Sequence, residues 1–222
     1  MNFFGHAAVA AWFDSCPAFV LGSMLPDFCG MLSLRTPEAR DSRLADGIAL
    51  HHATDALFHE HPLFLQWNSV SVRELSAAGL QRGAARAASH IGVELLFDEE
   101  LLSDSAARVA YGSGLLAPIE PDLFAEGDGG TRLRHLLEQL AARGLPDVPR
   151  APEHVAERIG RALAHRPRLR LAGAADFHAV RNWVVATRPR VVGCALQISA
   201  DLRAQLSCRP KANKTTPPTS PQ

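Results

Sequence analysis

The run GIALHHATDALFHEHP at positions 47–62 constrains the fold more than any other stretch of the chain. It holds four histidines and one aspartate among Ala, Leu, Ile and Phe, with no helix breaker between Gly47 and Pro62. At 3.6 residues per turn His51, Asp55 and His59 stack on one helical face. Imidazole and carboxylate spaced i, i+4 on a helix can close on one divalent ion without distorting the backbone. The chain is therefore expected to build a helical domain around this face.

Composition agrees with helices. The chain is rich in Ala, Leu and Arg, with one Tyr and three Trp, which favours packed helices over the β-branched and aromatic make-up of sheets. Its 222 residues suffice for one well-buried domain, so we expect an all-α single domain over residues 1–207 and a disordered tail over 208–222, RPKANKTTPPTSPQ being nearly without apolar residues. The formal charge is zero, which gives no support to a general nucleic-acid or membrane-surface role. Its distribution is uneven. Residues 158–190 carry eight arginines against Asp176 alone, and residues 94–104 carry five acids and no base. The arginine-rich stretch is either a surface for an acidic partner or an ordinary solvated face.

Cys16, Cys29, Cys194 and Cys208 show neither C-x-x-C pairing nor dense spacing, so a reducing cytoplasmic setting is expected rather than a zinc knuckle or a disulfide scaffold. The apolar start lacks a basic segment and is interrupted by His6 and Asp14, unlike a signal peptide. No apolar run approaches the roughly 20 residues that span a bilayer.

Along the chain, residues 1–13 read as a first helix containing His6, whose burial among Phe, Ala and Val demands a partner, either a metal ion or a neighbouring carbonyl. In FVLGSMLPDFCG, Gly22, Ser23 and Pro26 predict a turn or helix start that presents Asp27. Thr36-Pro37-Glu38 resembles a cap and first helical turn. Beyond Pro62 at least two helical segments are expected, the second carrying His90, Glu94 and Asp98 at four-residue spacing; Asp98 and Glu99 there read equally well as a solvated helix end. Glycine-rich residues 112–130 predict a loop or lid that adds little to the core. Helices follow over 131–143 and 153–165, and two more over about 176–187 and 191–206, with Pro189 between them. No internal repeat is evident.

His6, Asp27, His51, Asp55, His90 and Glu94 make a ligand inventory of nitrogen and oxygen donors without thiolate. Such donors suit Mn²⁺, Mg²⁺, Fe²⁺ or Zn²⁺ and point to phosphoester hydrolysis. In order along the chain, MNFFGH (1–6), LGSMLPDF (21–28), GIALHHATD (47–55) and ALAHRPRL (162–169) resemble the acyl carrier protein phosphodiesterases, relatives of the HD-type metal phosphohydrolases. Where that family carries Asp-x-x-x-Asp-His, this chain has His90-x-x-x-Glu94-Leu95; His59 stands where the family has an aspartate, and Gly22-Ser23 where it has Gly-Asn. The resemblance implies an all-helical fold, a divalent cation with manganese favoured, and release of 4′-phosphopantetheine from a serine of holo acyl carrier protein, a small acidic partner. On this reading His6, Asp27, His51 and Asp55 hold the ion, and His90 and Glu94 complete the shell or handle protons. His52 or His59 protonates the leaving oxygen, and Arg166 and Arg168 contact phosphate or partner. Hydrolysis of another small phosphoester, or an inert helical protein that only binds a partner, are the alternatives.

Overall fold

Every element of the computed structural model is an α-helix among the residues it describes, which are 1–120, 122–124, 127–146 and 149–208. The helices run in the order α1 (Phe3–Ala11), α2 (Pro17–Met31), α3 (Ser42–Glu60), α4 (Pro62–Ala77), α5 (Arg82–Leu101), α6 (Ser105–Leu115), α7 (Gly129–Arg143), α8 (Pro152–Leu163) and α9 (Ala174–Ser207). The expected all-α single domain is the observed architecture. The proposed tail falls outside the described residues from position 209 onward.

One continuous apolar core joins the nine helices of the described residues. Helix α1 is buried from Phe4 to Ala10, packed against α2, α6, α3 and α5. Helix α5 contacts α1, α4, α8 and α9, while α9 lies along α3, α4, α5 and α8. No helix is long and apolar enough to cross a membrane among the described residues.

Local chemistry sets several helix ends, though not always where the pattern predicts. Asp41, rather than Thr36, caps α3 by accepting from the amides of Arg43 and Leu44 at 2.7 and 3.1 Å. His61 both ends α3 and caps α4, its Nδ1 accepting from the amide of Leu63 at 3.2 Å while Nε2 faces Asp201 at 3.3 Å. Pro62 takes the first position of α4, where its missing N–H costs nothing. Gly144, at φ 64°, stops α7.

Two prolines expected to break helices do not. Pro26 lies inside α2 and Pro189 inside α9, so Asp27 sits in a helix interior rather than at a turn, and the two C-terminal stretches form one helix of 34 residues. Burial of Val20, Leu21, Met24, Leu25 and Phe28 around Pro26 outweighs one lost backbone hydrogen bond. Pro189 is exposed, where water reaches the carbonyl it leaves free. Nor is the 112–130 stretch all loop: residues 112–115 complete α6, and Leu115, Ala117 and Leu123 are buried. Asp98 and Glu99 are buried rather than solvated.

Helices α2 and α3 meet backbone to backbone at two glycines. A methyl group on Gly47 would stand 2.1 Å from the Phe19 carbonyl oxygen and 2.9 Å from Gly22 Cα, and one on Gly22 would stand 2.2 Å from the Leu44 carbonyl oxygen. Backbone meets backbone, and no side chain can give way. Gly47→Ala is expected to lower the free energy of unfolding by about 1–3 kcal/mol, the usual cost of overpacking. Gly30→Ala in the same α2, where nothing lies within 4 Å, should be neutral or stabilising. Denaturant titration of both variants checks the contrast.

Candidate metal centre

Four helices converge on one polar cluster. His6 comes from α1, Asp27 from α2, His51, Asp55 and His59 from α3, and His90 and Glu94 from α5. The i, i+4 stripe on α3 is the spine: His51 turns toward α1 and α2, His59 toward α5, and Asp55 stands between.

In the first half, one ligand atom each from His6, Asp27 and His51 lie within 4.8 Å of one another. The His6 and His51 rings stack with centroids 3.9 Å apart. His51 Nδ1 lies 2.9 Å from the carbonyl oxygen of Ser23, and a carbonyl only accepts, so Nδ1 carries the proton. Nε2 is then a bare lone pair, 3.5 Å from Asp55 Oδ2. His6 Nε2 is 3.1 Å from Asp55 Oδ1, a close but poorly aligned contact with the carboxylate, and among the described residues His6 Nδ1 and Asp27 Oδ2 have no hydrogen-bond partner. These are electron-rich atoms facing each other in a buried place. Burial holds the His6 imidazole neutral, its pKa lowered to about 3, and lowers that of His51 as well. Neutral His6 keeps one ring proton and offers its other nitrogen; that lone pair, His51 Nε2 and Asp27 Oδ2 are buried donor atoms of a kind that fits a cation.

The second half is built on Glu94. His59 Nε2 and His90 Nε2 lie 3.0 and 3.1 Å from its Oε1, and their donor atoms form a second group within 4.8 Å. The α-amino group of Met1 joins the halves, 3.0 Å from Asp55 Oδ1 and 3.4 Å from Glu94 Oε1. Burial alone would raise both carboxylates. The His6 imidazole and the Met1 ammonium outweigh it for Asp55, and the ammonium with His59 and His90 for Glu94, holding both well below the usual range. Asp27 goes the other way: burial pushes it up to about 7, opposed by the Met1 ammonium and reinforced by the negative charges of Asp55 and Glu94. Beneath the cluster, Asp98 Oδ2 accepts from the amide of Gly5 at 3.2 Å. Burial raises its pKa well above the carboxylate range, so it props α1 as a neutral acid.

The structure thus brings together His6, Asp27, His51, Asp55, His90, Glu94 and His59. It does not bring in His52, which is exposed on the outer side of α3, its ring edge-on to His51 at 5.3 Å. Consecutive helical residues point about 100° apart, so His51 and His52 cannot both face inward. Arg166 lines a cleft that ends at His90, whereas exposed Arg168 does not. Much of the basic stretch is neutralised within the fold: Arg181 pairs with Glu153, Arg188 with Glu99 and Arg190 with Glu74. Residue type and spacing gave no sign of the Ser23 carbonyl or the Met1 amine, both backbone groups. No protein-family model, curated protein or solved structure matches the chain.

Asp27 supplies a test by linkage. Its folded pKa of about 7 lies above the ordinary 3.8, so the native state holds the proton more tightly than the unfolded chain. The resulting penalty is absent below the unfolded value, grows as pH rises between the two, and is complete above about 7. Metal-free Asp27→Asn should therefore melt higher than metal-free parent at pH 8, by about 2–4 °C per kcal/mol relieved, with a smaller gain at pH 5. Thermal melts at the two pH values measure it.

Proposed function

We propose that the protein is a metal-dependent phosphodiesterase in which His6, Asp27, His51 and Asp55 hold a divalent cation. The observation that carries this reading is the set of buried donors that face one another: the bare His51 Nε2, the one unprotonated nitrogen of the neutral His6 ring, and Asp27 Oδ2, whose carboxyl group would give up its proton to a cation. Nitrogen and carboxylate donors without sulfur suit Mn²⁺, Fe²⁺, Zn²⁺ or Mg²⁺, with manganese favoured by the likeness to the acyl carrier protein phosphodiesterases. When bound, such an ion neutralises charge on a phosphoryl group and acidifies water.

The chain's own groups divide the remaining work. The Ser23 carbonyl fixes the tautomer and orientation of His51, as an outer partner of a metal-ligating histidine does. His59 and His90, both tied to Glu94 and both partly exposed, are the proton-handling groups at the mouth of the centre, with His59 the donor to the leaving oxygen. The reading of the substrate as holo acyl carrier protein rests on the motifs MNFFGH, LGSMLPDF and GIALHHATD, whose polar residues His6, Asp27, His51 and Asp55 are the ones that converge. Among the described residues Arg166 and Arg168 form none of the ion pairs that occupy Arg181, Arg188 and Arg190, which supports their meeting an acidic partner.

A second reading, an inert helical protein, draws on the Met1 ammonium and the two imidazoles around Glu94, which together form a network compensated without any ion. Elemental analysis separates the two. The purified chain should retain at least one divalent ion, lost on chelation, and His51→Ala and Asp55→Ala should each lower the content. Turnover of bis-p-nitrophenyl phosphate or of holo acyl carrier protein should fall by more than the roughly 10–100-fold typical of losing a ligand-orienting partner. Unchanged metal content in both variants overturns the metal reading, and metal retention without turnover of either substrate favours the inert one.

A further inference from the structure

A cleft of about 450 Å³ opens beside the cluster, between α4, α5 and the segment that follows α8. Asn68, Arg86, His90, Ile91, Arg166 and Leu169 line it. Its inner wall is His90, the imidazole that touches Glu94. Arg86 lies one turn before His90 on α5 and so faces the same way. Asn68 is fixed by its contact with Ser89 Oγ at 2.5 Å. On the opposite wall the backbone carbonyl of Arg166 accepts from the amides of Leu169 and Arg170 at 2.8 and 3.0 Å, a turn that seats Leu169 over Gly83, with Leu169 Cδ2 3.2 Å from the place a Gly83 Cβ would take.

Arg161, Arg181, Arg188 and Arg190 all face carboxylates. Among the described residues Arg86 and Arg166 have no ion pair, as exposed Arg35, Arg82, Arg168 and Arg170 have none, but Arg86 and Arg166 line the same cleft. Two guanidinium groups line one concavity whose floor is the apolar surface of Ala87, Ile91 and Leu169. Guanidinium forks match phosphate oxygens in pairs, and the volume is that of a small-molecule site.

We infer that the cleft binds a phosphate group carried on a short apolar stem, a second anionic group of the molecule whose phosphodiester is presented to the histidine–carboxylate cluster. The link to that molecule rests on the phosphodiesterase reading; the binding of phosphate in the cleft does not. Arg86 and Arg166 grip the phosphate, Asn68 adds a polar contact, and Ile91 and Leu169 cover the stem. The ligand then reaches the cluster past His90.

Calorimetric titration of the full chain, freed of metal by chelation and dialysis, with phenyl phosphate tests this without any turnover. Saturable binding is expected, weakened about tenfold or more in Arg86→Ala and in Arg166→Ala and lost in the double variant. Arg168→Ala, one position outside the cleft, and His51→Ala, in the metal cluster, should bind as the parent does. Absence of binding, equal binding of phenol, parental affinity in the double variant, or a loss in Arg168→Ala equal to that in Arg166→Ala overturns the inference. Phenyl phosphate binding that survives in a chain found to hold no metal sustains the cleft and removes only the metal reading.

Discussion

The contact of α2 with α3 through Gly22 and Gly47 is the constraint on which the centre depends. Only the absence of both side chains lets the two backbones meet. Ser23 follows Gly22 directly, and its carbonyl reaches His51 Nδ1 because the helices are that close. His51 stands one turn beyond Gly47 on α3, and Asp27 one turn beyond Ser23 on α2, so the contact that seats Ser23 against His51 also brings Asp27 near it. A longer separation would leave His51 free to rotate and Asp27 out of reach.

What this arrangement holds in place is electrostatically unfavourable by itself. Two neutral imidazoles, an orphaned carboxylate oxygen and the charged Asp55 crowd into a space shielded from water, and Asp27 responds by retaining its proton up to about pH 7. The Met1 ammonium relieves Asp55 and Glu94, but among the described residues Asp27 Oδ2 and His6 Nδ1 are left without hydrogen bonds. Strain of this kind persists where surrounding packing over-determines the site, and the burial of residues 4–10 in α1 and of residues 19–25 with Phe28 in α2 supplies that packing.

Much of this was legible in the sequence because helical period translates directly into direction. The stripe His51, Asp55, His59 and the pair His90, Glu94 needed only 3.6 residues per turn to be placed on faces, and His6 stood out as a polar group in an apolar helix. Pro26 and Pro189 misled because local stereochemistry predicts a break, while burial in one case and access to water in the other decide otherwise. Asp98 and Glu99 misled in the opposite way: acidic residues near a helix end look solvated until α1 and Arg188 are known to cover them. The arginine-rich stretch looked like one basic face, yet its partners Glu74, Glu99 and Glu153 lie far away along the chain and nothing local announces them. The cleft combines α4, α5 and the segment after α8, a juxtaposition that only the folded chain creates.

Helix α9 is about 50 Å long at 1.5 Å per residue, and its proline sits between two clamps. Arg188 reaches Glu99 on α5, and Arg190 reaches Glu74 on α4. The two helices that form one side of the cleft are thus both tied to α9 at the point where its backbone lacks one of its own rungs. One short stretch of α9 therefore ties together the two helices that supply Asn68, Arg86 and His90, so the walls of the cleft share a common fastening.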